Sequence, residues 1–163
     1  MLDFYAVLGR IRDANVVALR NIGNAPTRVG VVPGAIAWDD CDQCGLLALA
    51  SARNFLSDQF PIELTVTTAD QGAVLCADMV VQIVRCAPEP QGGETAPSVA
   101  ALEASAREVI ADATAVMCAT IDVLNALSTS GDIYDFMMRG QMFVGPAGAC
   151  VGSELQFVVG VIR

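Results

Sequence analysis

The apolar residues Phe4, Leu8, Ile11, Ala18, Leu19 and Ile22 recur every three or four positions, while Asp3, Arg10, Asp13 and Arg20 fall mostly elsewhere around the same wheel. That spacing predicts an amphipathic helix over residues 2–22. It closes at Gly23-Asn24-Ala25-Pro26, where glycine takes the left-handed stop and proline prevents continuation. Residues 29–32 then read as extended, Pro33-Gly34 as a turn and residues 35–38 as a short extended piece. Past Cys41-x-x-Cys44, Gly45 leads into residues 46–52, apolar on both faces at first and therefore expected inside a sheet.

Residues 54–75 lack a sustained period and read as a long excursion, with turns at Phe60-Pro61 and Asp70-Gln71-Gly72 and a short strand at 63–68 between them. Residues 77–87 give the clearest strand, with Met79, Val81 and Ile83 on one face, Val80, Val84 and Cys86 on the other, and Pro88 ending it. A Pro/Gly-rich linker spans about 88–97. A long helix opens at Pro97 or Ser98 and runs to about residue 127, with Val99, Leu102, Ala106, Val109, Ala113, Met117, Thr120 and Leu124 along one stripe. Its second half is apolar nearly all round, which calls for two packing partners.

Residues 128–140 read as a turn and a short helix begun at Asp132, and residues 144–152 as a loop. Residues 154–162 alternate Leu155, Phe157, Val159 and Val161 against Gln156, Val158, Gly160 and Ile162, a final strand. The order of elements predicts an α+β fold of one domain over residues 1–163. Its antiparallel or mixed sheet carries the N-terminal helix and the long helix on one face.

Composition changes this picture in one respect. Hydrophobic residues make up 54% of the 163 and charged residues 17%, against a usual charged fraction of about 25%, so part of the apolar surface is expected to meet another subunit. No uninterrupted apolar run reaches the roughly 18 residues of a spanning helix. Asp3, Arg10 and Arg12 do not fit a secretory leader, so the chain is expected to be made and kept inside a cell, at least at first. The formal charge of −9 disfavours tight nucleic-acid binding. There is no histidine and no lysine, so any catalytic proposal must rest on cysteine, carboxylate or tyrosine.

The densest candidate chemistry is Trp38-Asp39-Asp40-Cys41-Asp42-Gln43-Cys44. A thioredoxin-type centre places its first thiol at the opening of a helix, whose dipole lowers the thiol pKa. Here Cys44-Gly45 opens a strand, and Asp39, Asp40 and Asp42 crowd the thiols with negative charge that would raise their pKa. Zinc needs four converging thiolates; Cys41 and Cys44 supply half, and the rest would come from distant singles such as Cys76 and Cys150. An even set of six cysteines also fits disulfides formed after release from the cell. Cys118, on the apolar helix, reads as a small buried hydrophobe.

Asp39 and Asp40 could act as an acid/base or hard-metal pair, but they fit better as turn-forming side chains beside an anchoring Trp38. Gly145-Pro146-Ala147-Gly148 with Gly152 lacks the lysine and the following helix of a phosphate loop. Neither a catalytic set nor a cofactor site is expected. The segment from Trp38 to Gly45 reads as a structural clasp at the entrance to the sheet.

The cues "VVPGAIAWDDC" followed by Cys44-Gly45, Phe60-Pro61, "CADMVVQIVRCAPEPQG", an alanine-rich long helix and a terminal "GACVGSELQFVVGVIR" resemble small neck or tail-completion proteins of long-tailed phages, especially those infecting actinobacteria. The element order also resembles the tail terminators of lambda-type phages. The resemblance covers most of the chain. It implies a virion structural protein, assembled in the host bacterial cytoplasm, forming a homo-oligomeric ring, commonly a hexamer, between tail-tube protein and head-connector protein. DNA would pass through the lumen without specific binding, and no membrane would be involved. Another neck role, head-closure or adaptor protein, shares these properties, and a Cys-x-x-Cys thiol oxidoreductase is the rival from a different class.

Overall fold

The computed structural model describes residues 2–34, 45–64, 72–90, 92, 96–147 and 149–161. Helix α1, Phe4–Asn21, begins where the Asp3 carboxylate accepts the Ala6 N–H at 2.7 Å, and it ends before Gly23 at φ 82°. Its buried side carries Val7, Leu8, Ile11 and Leu19. Helix α2, Val99–Thr129, opens on Ser98, whose hydroxyl accepts the Ala101 N–H at 3.2 Å.

Five strands, β1 (Arg28–Val31), β2 (Leu46–Ser57), β3 (Val74–Cys86), β4 (Asp135–Ala147) and β5 (Cys150–Val161), form one sheet in the order β1-β2-β3-β5-β4. Strand β1 pairs parallel to β2 and the other pairings are antiparallel, so the sheet is mixed and the fold is α+β as expected. Alternation sends Leu47 and Leu49 of β2, Met79, Val81 and Ile83 of β3, and Leu155, Phe157 and Val159 of β5 into one core with both helices. Each such side chain, fully removed from water, contributes about 1.5–3 kcal/mol before entropy is set against it.

The strands are longer than their patterns suggest. Strand β2 continues to Ser57 through a bulge between Ser51 and Arg53 that resets its alternation, so the excursion proper begins at Asp58. Residues 63 and 64 are not in a strand, Ile62 makes an isolated bridge to Gln59, and the rest of the strand expected at 63–68 lies outside the described residues. The short helix expected from Asp132 is instead the approach to β4, and the loop expected at 144–152 is the β4–β5 hairpin. Cys118 is exposed, not buried, because the inward stripe of α2 runs through Val109, Ala113, Val116, Thr120 and Leu124.

Helix α2 is also long and apolar enough, by length and composition, to cross a membrane, although no uninterrupted apolar run in it reaches that length. Asp112 and Asp122 interrupt those runs without lowering its mean hydropathy far. In this fold its inward stripe packs on β3, β4, β5 and α1.

One ionic cluster ties the layers together. Asp112, fully buried on α2, accepts from Arg85 Nε at 2.6 Å and from the Asn24 side chain at 2.8 Å. Arg85 Nη2 also donates to the Asn24 carbonyl at 2.6 Å. The end of β3, the middle of α2 and the turn after α1 therefore meet at one satisfied charge pair.

Gly152 of β5 stands opposite Val84 of β3, and a Cβ there would run into the Ile83 carbonyl. Gly152→Ala is expected to cost about 1–3 kcal/mol, as an overpacked core does, read as a lower denaturation midpoint in urea at unchanged slope.

Candidate assembly surface

Of the residues singled out in the sequence, Trp38, Asp39, Asp40, Cys41 and Cys44 lie outside the described residues, as does the extended piece expected at 35–38. Gly45 marks where that segment enters the sheet: at φ +105° its carbonyl accepts from Thr27 and Arg28, and an added Cβ would lie 3.0 Å from the Arg85 guanidinium.

Cys76 and Cys150 are not brought together. Cys76 stands opposite Gly160, whereas Cys150 stands opposite Cys86, ten residues further along β3, or about 33 Å at the rise of a strand. Cys86 and Cys150 each take part in a disulfide, whereas Cys76 and Cys118 are free thiols. Among the described residues no group of three or more Cys, Asp or Glu side chains gathers to hold a metal.

Burial, with a smaller contribution from Asp78, pushes the Cys76 thiol from 9.0 up to about 11. In native protein at pH 8, a thiol reagent is expected to label Cys118 and to reach Cys76 only on unfolding. Equal rates at the two positions would contradict this placement. Because the folded pKa is the higher one, the stabilisation from keeping this thiol neutral is complete below pH about 9. It is lost as the pH rises towards about 11.

On the sheet face turned away from the helices, polar side chains form two closed sets. Arg53 of β2 donates to Asp78 of β3 at 2.6 Å and to Glu63 at 2.7 Å, and Arg139 of β4 lies 2.9 Å from the other Asp78 oxygen. Glu154 accepts from Gln82 across the strands and from Gln156 at 2.5 Å. Each carboxylate is engaged by donors, an arrangement suited to holding a surface rigid.

The other notable feature is apolar. Where the first turns of α2 overhang the β4–β5 hairpin, a cavity of about 330 Å³ opens between Leu102, Ala106 and Ile110 on the helix and Phe143, Pro146 and Val151 on the hairpin. Phe143 is 62% exposed and Leu102 and Ile110 are half exposed, although the period of α2 placed Leu102 on its buried stripe. Sequence reasoning missed this groove because one wall of it runs along the end of β4, a strand whose pattern does not alternate cleanly. It also missed Arg85 and Asp112, for which a signal existed: Asp112 falls three residues after Val109 and next to Ala113, on the inward stripe of α2.

Strand β4 ends the sheet on this side, but bulges between Met138 and Gly140 and between Val144 and Ala147 break its outer edge. Such irregular edges resist pairing with another strand. Fold and surface together define a mixed-sheet α+β domain with two helices on one face and an exposed apolar groove at one edge. No family model and no curated protein matches this chain.

Proposed function

We propose that this chain is a structural virion protein that forms a ring at the head-proximal end of a phage tail, ending growth of the tail tube and joining the tail to the head connector. The observation that carries the reading is the exposed apolar groove between α2 and the β4–β5 hairpin, on a chain with little charge to spare for an isolated surface. The element order, an amino-terminal helix, three strands, a long helix and a closing pair of strands, supports it through the likeness of a helix–strands–long helix layout to tail terminators. So does the chemistry: without imidazole or lysine, and with Asp78 and Glu154 held by donors, the chain is better equipped to grip than to transform a substrate. A negatively charged ring would let DNA pass without holding it.

Purified protein added to polymerising tail-tube subunits should stop elongation and appear as a cap at one tube end in electron micrographs. Tubes of unchanged length and bare ends would remove the terminator role.

A further inference from the structure

We propose that the groove between α2 and the β4–β5 hairpin receives the outward face of α1 from a second copy of this chain, giving a head-to-tail contact. This rests on the ring reading above and names the surfaces that build the ring.

The outward stripe of α1 is Arg10, Asp13, Val17 and Arg20, spaced three, four and three residues apart. Val17 is 55% exposed, and Tyr5 and Ile22 add further exposed apolar surface at the two ends of the helix. Asp13 is occupied by Arg12 at 2.7 Å, but Arg10 and Arg20 make no ion pair among the described residues. The helix thus shows exposed Val17 flanked along one stripe by two unengaged cations, on a protein whose net charge is −9.

The groove offers the complement. Its walls include Leu102, Ile110 and Phe143; exposed Glu89 follows the lining Pro88 in the chain, and exposed Glu103 follows the lining Leu102. Neither acid is in an ion pair among the described residues, and Arg107, next in the chain to the lining Ala106, is the one cation that directly follows a lining residue. Val17 meets the apolar groove, and the free arginines on either side of it meet free carboxylates.

The two surfaces also lie on different sides of the molecule. Helix α1 packs on β1 and β2 and against α2, whereas the groove opens between α2 and the hairpin that ends the sheet at β4. A contact joining two different patches is heterologous and propagates head to tail, so it closes into a ring when the rotation per copy allows.

The test uses two charge-reversed full-length chains, Arg10→Glu/Arg20→Glu and Glu89→Arg/Glu103→Arg, with sedimentation velocity as the readout and circular dichroism to verify folding. Each alone is expected to self-associate at least about tenfold more weakly than the wild type, since like charges then face each other. An equimolar mixture is expected to regain the wild-type assembly, because each variant's altered face meets the other's. Leu102→Asp, at an exposed position, should weaken assembly without unfolding the chain.

Variants that keep the wild-type assembly, or a mixture that stays dissociated, would overturn this contact while leaving the ring reading in place. A wild-type chain that is monomeric at every concentration would remove both. Binding of a small apolar probe such as an anilinonaphthalene dye, undiminished when the wild type assembles, would mark the groove as a ligand pocket and overturn the contact.

Discussion

Asp112→Ala is expected to lower the stability of the fold by about 3–5 kcal/mol, the cost of stripping one partner from a buried ion pair. The carboxylate has no access to solvent, and its removal leaves the Arg85 guanidinium, 8% exposed, facing Asn24 and, at 3.6 Å, Glu108. At this chain length the midpoint of thermal unfolding should fall by roughly 6–20 °C. The double variant Asp112→Leu/Arg85→Met removes both charges and should recover much of the loss, because the pair is costly to break but not strongly stabilising against an apolar replacement. A double variant as unstable as the sum of its single changes would show that Asp112 and Arg85 do not stabilise the fold as a coupled pair.

Phe157→Ala is the second large effect, about 3–5 kcal/mol, from lost burial and the void left behind. Phe157 is among the largest fully buried side chains; in the sheet it faces Met79 on β3 and Met138 on β4. Its position between the central strands and the helices leaves little freedom to collapse around the gap. Phe157→Leu, which keeps most of the volume, should cost clearly less. Equal losses from the two replacements, measured in urea, would place Phe157 away from the packed centre.

The parts of this fold that could be read in advance are those with an undisturbed period. Helices α1 and α2 follow a 3.6-residue rhythm, with Asp3 and Ser98 in place as caps. Strand β3 and the second half of β5 alternate or run apolar between clear stops. What was obscured is also physical. Past the bulge at Ala52, β2 presents Arg53 and Asn54 to solvent, so its second half looks like a loop. Strand β4 is an edge whose inward residues are only partly covered, and Gly140, Gly145 and Pro146 within it carry the usual marks of turns.

The candidate surface was legible only in outline. An excess of apolar residues pointed to a partner, but the groove is made of Leu102, Ile110 and Phe143, residues distant in the chain that only the packing of α2 against the hairpin brings together. The cysteines teach the same lesson. Distant singles such as Cys76 and Cys150 could complete a zinc site only if they converge, and strand register separates them while setting Cys150 opposite Cys86.

The central claim is that this chain is built to grip copies of itself. The direct test is the mass of the purified, full-length protein in solution by light scattering across a hundredfold range of concentration. The account predicts one discrete species several times the 17.0 kDa of the chain, dissociating on dilution. A single species of 17.0 kDa at every concentration would contradict it.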